Sequence, residues 1–71
     1  MRKQTQCERV LKYLEQHESI SQFEAMTRLR IGRLAARIHD METAGIRFHH
    51  DMVRVKDEDG NIFRYMRYRR A

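Results

Sequence analysis

Two arginines four residues apart, Arg33 and Arg37, stand in the stretch IGRLAARIHDMETAG (residues 31–45), with Arg30 just upstream. On a helix, residues four apart are neighbours, so these like charges cost roughly 0.2–0.5 kcal/mol in an isolated helix. An anion would neutralise the crowding. Long donors near the start of a helix, with a small residue where backbone nears a duplex, are what base-edge contact in a major groove requires. Arg33 and Arg37 supply the donors and Ala36 the small residue. The simpler reading pairs Arg37 with Asp40 and leaves Arg33 solvated. A second basic cluster closes the chain: FRYMRYRRA holds Arg64, Arg67, Arg69 and Arg70, with no acid from Asn61 to Ala71. Such arginines contact phosphates well. They also keep an edge strand soluble.

Other residues offer less chemistry. His49-His50-Asp51 puts adjacent histidines on opposite faces of a strand, and no third ligand sits at a recognised metal spacing. Cys7 falls on an apolar helix stripe and reads as a small core residue. There is no phosphate-cradling glycine loop, nucleophile elbow or helically spaced carboxylate pair. An enzyme is therefore not expected, nor a cofactor or metal. The segment KDEDGN places Asp57, Glu58 and Asp59 together. Three carboxylates at a loop tip oppose a phosphate contact there and suit either a solvated turn, which favours Asp and Gly, or a protein partner.

The bulk properties agree with a binding module. With 71 residues the chain is expected to form one domain over 1–71, with Met1–Gln4 as a loose polar arm. A domain this small buries only about 60% of its unfolded surface, so its core is thin and a deep substrate cavity is not expected. Fifteen basic against ten acidic residues leave a net charge of +5, which favours an anionic partner, double-stranded DNA above all. The single cysteine forms no internal disulfide and fits a reducing compartment. No apolar run is long enough to span a bilayer and no signal-peptide core is seen. A cytoplasmic location, away from the membrane, is the expectation.

Local patterns place these residues. Thr5 and Glu8 have capping-box spacing, and Cys7, Val10, Leu11 and Leu14 repeat as one face of a first helix ending near His17. Ser21 and Glu24 repeat the box, with Ile20 and Ala25 as its hydrophobic staple. A short second helix runs from Gln22 to about Leu29. After a turn at Arg30–Gly32, a third helix covers Arg33–Ala44, with Leu34, Ile38 and Met41 as core stripe and Gly45 as left-handed cap. The helices are expected to pack through Val10, Leu11, Leu14, Leu29, Leu34 and Ile38. Beyond Gly45 the period becomes two, through Ile46, Phe48, Val53 and Val55, and Asp59-Gly60 marks a hairpin turn before a strand from Ile62 to about Arg69. Parity changes between Phe48 and Val53, which predicts a bulge or break there. Ile20 could add a short third strand. The result is an α+β winged helix-turn-helix: three helices, then a β-hairpin wing.

TQCERVLKYLEQHESIS (5–21), RLAARIHDM (33–41) followed by Gly45, and RYRR (67–70) carry a resemblance over the whole chain. It resembles a family of short phage- and prophage-encoded winged helix-turn-helix proteins. The resemblance implies a small DNA-binding protein, a regulator or excision-type accessory factor of a mobile element, with Arg33 and Arg37 facing DNA. Departures are Arg30 where the family commonly has glycine, Glu42-Thr43-Ala44 where its third helix often ends basic, and the acidic tip. The candidate DNA-binding set is Arg30, Arg33, Ala36, Arg37 and Asp40 with Arg64, Arg67, Arg69 and Arg70. A homodimer could read half-sites about one helical turn apart. The alternative is a protein-binding winged helix, an adaptor, antirepressor or inhibitor of a host complex, using the acidic tip.

Overall fold

The computed structural model describes residues 5–71; the arm expected at Met1–Gln4 lies outside the described residues. Helix α1 spans Gln6–Gln16, strand β1 Ile20–Ser21, α2 Gln22–Arg28, α3 Leu34–Thr43, β2 Phe48–Lys56 and β3 Ile62–Arg70. The strands form one antiparallel sheet in the order β1-β3-β2. Ile20 does add a third strand: it pairs with Tyr68, and Ser21 pairs with Arg67.

The caps form at the expected places. The Thr5 hydroxyl accepts from the Glu8 N–H at 3.1 Å. Ser21 and Glu24 complete a full capping box, satisfying donors that a helix start leaves orphaned. At the end of α3, Gly45 has φ +100°, its N–H donates to Glu42 O, and the Ile46 N–H reaches back to Met41 O. This is a Schellman closure, with Ile46 half-buried near Met41 rather than in a strand. Arg30 takes the same left-handed region at the end of α2, with φ +57°. That bend lets the Ile31 N–H return to Ala25 O at 2.9 Å and drives Ile31 wholly into the core.

The core joins Val10, Ile20, Ala25, Ile31, Leu34, Ile38 and Met41 with Tyr13, Phe48 and Tyr68. Of the residues expected to pack the helices, Val10, Leu34 and Ile38 are buried. Leu11, Leu14 and Leu29 instead lie half-buried at the margin, as does Cys7. Three short helices enclose too little volume to cover a wider stripe.

The expected bulge is absent. Nine successive pairs, from Phe48–Arg70 to Lys56–Ile62, run without interruption. The apolar residues change face because the hairpin leaves the body: its base buries Phe48 on the inner face, whereas Val53 and Val55 belong to the outer face of a projecting ribbon. The molecule is accordingly elongated, 49 × 24 × 21 Å. At the tip Gly60 has φ +86°, and the Gly60 N–H donates to Asp57 O, a type I turn closed by a left-handed glycine.

Candidate nucleic-acid interface

The start of α3 is held by a residue twelve positions away. Arg33 stands at the N-cap but makes no capping bond. The Gln22 side chain does that work instead. Its Oε1 accepts from the Leu34 N–H at 2.9 Å, while its Nε2 donates to Ile31 O and Gly32 O at 3.2 and 3.1 Å. One amide therefore ties α2, the turn and α3 together, and fixes where Arg30 and Arg33 emerge. Both arginines are exposed, and neither forms an ion pair among the described residues. The next surface positions are Ala35 and Ala36, exposed and half-buried, which keep the helix backbone accessible; His39, Asp40 and Thr43 follow along the exposed side.

Arg37 stands differently from Arg33. Its Nη2 pairs with Asp40 at 3.1 Å and its Nη1 reaches Gln6 Oε1 on α1 at 3.4 Å. Its Nε is buried without a partner among the described residues. The ridge expected to present two free arginines thus presents one, with the second lying along α1 and partly neutralised.

The C-terminal arginines also separate into two kinds. Arg67 donates to Ser19 Oγ at 2.8 Å and pairs with Glu24 at 2.6 Å, each side chain about three-quarters buried. Glu24 also accepts from Ser21 N–H and Oγ and from the Tyr13 hydroxyl. Burial pushes the Glu24 carboxyl upward, but the bonds from Ser21 and Tyr13 and the Arg67 charge outweigh it and hold it below its ordinary 4.5. Tyr13 is raised, first by burial and then by its bond to Glu24. Burial acts to lower Arg67, yet its bonds to Tyr65 and Glu24 leave it raised. This network locks β1, α1 and β3 together, so Arg67 belongs to the scaffold. Arg69 pairs with Asp51 at 2.7 Å. Arg64 and Arg70 are exposed and pair with no acid among the described residues.

Period-two alternation gives the wing two unlike faces. The inner face continues outward from Phe48, His50 and Tyr68 to Met52, Arg54, Lys56, Ile62 and Arg64. Arg54 lies directly opposite Arg64, an unfavourable like-charge pair. Arg54 and Lys56 do not stand out in the sequence because the arginines of β3 form the denser cluster; their alternation with Val53 and Val55 is the signal. The outer face holds His49, Asp51, Val53, Val55, Phe63, Tyr65, Arg67 and Arg69; Arg67 is largely covered, Asp51 and Val53 are half-buried and the others are exposed. At the tip, Asp57 is not a free carboxylate: it accepts from the N–H groups of Asp59 and Asn61 and from the Asn61 amide. Only Glu58 and Asp59 present charge outward.

Among the described residues no group of His, Cys, Asp and Glu could hold a metal ion, and no helix is long and apolar enough to cross a membrane. His50 instead shares a 2.9 Å hydrogen bond with Glu42. A family model described as a winged helix-turn-helix domain matches residues 5–69. No curated protein and no solved structure matches the chain.

Proposed function

The chain belongs to the winged helix-turn-helix domain family, and from that premise we propose that it binds double-stranded DNA with α3 in the major groove. The observation that carries this reading is the start of α3. Arg30 and Arg33 are exposed and unpaired among the described residues, and are followed by Ala35 and Ala36. A duplex supplies the counter-charge these groups lack and the close approach that small residues allow. Arg64, with Arg54 and Lys56, supplies a phosphate contact from the inner face of the wing, and Arg70 a further one at its base. Arg37 and Asp40 orient the helix surface. Arg67 and Arg69 hold the wing in place rather than touch DNA. In this role the protein is a regulator or excision-type accessory factor of a mobile element, as the resemblance to phage proteins implies.

The test is a fluorescence titration against specific and random duplexes at two salt concentrations. Arg33→Ala is expected to weaken specific binding by roughly 1–3 kcal/mol if it reads a base. If it holds phosphate, binding falls for every sequence and the log–log salt slope drops by about 0.9. Arg37→Ala is expected to have the smaller effect. A folded Arg33→Ala/Arg30→Ala protein that binds as the parent does would overturn the reading. The alternative, a protein-binding module, draws its support from the uncovered apolar face of the wing.

A further inference from the structure

β3 lies between β1 and β2, yet β1 covers only a short part of it. Ile20 pairs with Tyr68 and Ser21 with Arg67, and the chain then turns into α2. From Met66 to Ile62, β3 therefore has a neighbouring strand on the β2 side alone among the described residues. On the other side every second residue presents its N–H and C=O outward. Among the described residues no loop or turn backbone bonds to them. Proteins blunt such an edge with proline, lysine or a bulge. The stretch Ile62-Phe63-Arg64-Tyr65-Met66 has none of these and pairs with β2 without interruption. Beside it lies a groove of about 520 Å³, walled by Phe23 on α2 and Ala35 on α3 and reaching Tyr65 and Met66. We propose that an extended peptide of a partner protein docks in this groove as an added strand on β3, its side chains apolar except for an acid beside Arg64.

The edge selects the occupant. A row of backbone donors and acceptors is met in full by another extended chain. The side chains beside it set that chain's character. On the outer face Phe63 is 56% exposed and Tyr65 40%, and Met66 borders the groove. A strand next to them gains by presenting apolar groups. Arg64 asks for something else. It is exposed, lies opposite Arg54 in the ladder, and pairs with no acid among the described residues. An acid at the adjoining position of the added strand supplies the charge that this arginine pair lacks. Nearer β1 no further charge is called for, because Arg67 and Glu24 neutralise each other. A second copy of this chain is a poor occupant: two such edges paired about their centre would set Arg64 beside Arg64. The inference does not depend on the DNA reading. If that reading holds, a peptide so placed competes with a duplex for Arg64 and for the approach to Ala35, which gives a partner protein a means of releasing DNA.

The experiment is an NMR titration of the isotope-labelled full chain without DNA, so its outcome is separate from that of the DNA titration. The probe is an acetylated, amidated peptide of leucine, valine, glutamate, valine and threonine in that order, flanked by serines. In the antiparallel sense that β1 sets, these face Met66, Tyr65, Arg64, Phe63 and Ile62. Saturable shifts are expected at the backbone amides of Ile62–Met66, and alternate amides there should gain protection from hydrogen exchange. Methylating the peptide nitrogens on one side of the strand should abolish binding; methylating those on the other side should leave it intact. Arg64→Glu should weaken this peptide about tenfold, and a peptide with lysine in place of glutamate should recover the affinity; melts confirm folding. Ile62–Met66 amides that do not move at millimolar peptide overturn the proposal. So do equal effects of the two methylated peptides, or the same shifts produced by a single-stranded oligonucleotide. Shifts that follow protein concentration alone would also overturn it, by giving the edge to a second copy.

Discussion

In the helical body Val10, Ile20, Ile31 and Leu34 are wholly excluded from water, whereas in the distal wing Met52, Val55, Ile62 and Phe63 stand largely exposed. The two regions use similar residue types to opposite ends. The body needs its apolar groups to hold three short helices against the sheet base. The wing holds its shape through a nine-pair ladder and a turn organised by Asp57, so its side chains on both faces are free for partners. The comparison is sharpest at Leu34. Leu34→Ala or Ile38→Ala should cost about 2–5 kcal/mol, a large share of the 5–15 kcal/mol typical of a domain. Phe63→Ala should change thermal stability little, within about 0.5 kcal/mol. A large loss from Phe63→Ala would mean that the wing is part of the folding core.

The arginines repeat the contrast within one residue type. Arg67 is tied to Glu24 and Ser19, while Arg64, three residues earlier, is exposed. Removing either partner of the Arg67–Glu24 pair should destabilise by about 1–3 kcal/mol, between the values for exposed and buried pairs. The pH dependence has a definite sign. Glu24 is held below 4.5 in the fold, so its contribution is present above the unfolded value and lost as pH falls through the depressed folded one. Melting temperature should drop on acidification below about pH 4.5, and Glu24→Gln should flatten that drop. Equal acid sensitivity in parent and variant would locate the effect elsewhere.

Gln22 acts within the body, because its bonds to the turn and to Leu34 set the direction in which α3 leaves the turn. Gln22→Ala removes a surrogate cap and two bonds to the turn, and should cost about 1–2 kcal/mol by thermal melt. It should also weaken DNA binding although the residue itself need not touch DNA. Full DNA affinity in a destabilised Gln22→Ala protein would show that the turn geometry does not control Arg33.

Much of the body was legible in the sequence because its signals are local. The Ser21–Glu24 box, the Leu34–Ile38–Met41 stripe, the Ile20 strand and the Gly45 cap each lie within a few residues of what they control. What was not legible depends on separation in the chain. Glu24 meets Arg67 across 43 positions, Leu34 meets Gln22 across 12, and no periodicity reports either. Tyr13 is buried because Glu24 receives its hydroxyl, whereas the first-helix pattern singled out Leu11 and Leu14. The wing misled for another reason. Alternation reports burial only where a sheet face is covered, and past Met52 neither face is, so the parity change read as a bulge is a change of which face carries the apolar residues. For the candidate site, the composition of RLAARIHDM makes Arg33 and Arg37 equivalent, and the tertiary position of α1, where Gln6 receives Arg37, separates them.

Arg30 offers a small effect and the one that best separates stability from recognition. A non-glycine residue at φ +57° carries a steric cost of roughly 1–2 kcal/mol from its Cβ. Glycine removes that cost but loses more backbone entropy on folding, by roughly 0.5–1 kcal/mol. The balance predicts that Arg30→Gly stabilises the fold modestly, by up to about 1 kcal/mol. The left-handed turn itself must persist, because Ile31 depends on it for burial and for its bond to Ala25. The arginine side chain contributes no ion pair to the fold among the described residues. It therefore stands there at a conformational cost and adds its charge beside Arg33. Arg30→Gly should raise the melting temperature while weakening DNA binding and lowering the salt slope by about 0.9. Arg30→Ala serves as the control: it should lose the same binding without the gain in stability. A stabilised Arg30→Gly protein with undiminished DNA affinity would remove Arg30 from the interface and leave Arg33 as the arginine that decides recognition at the start of α3.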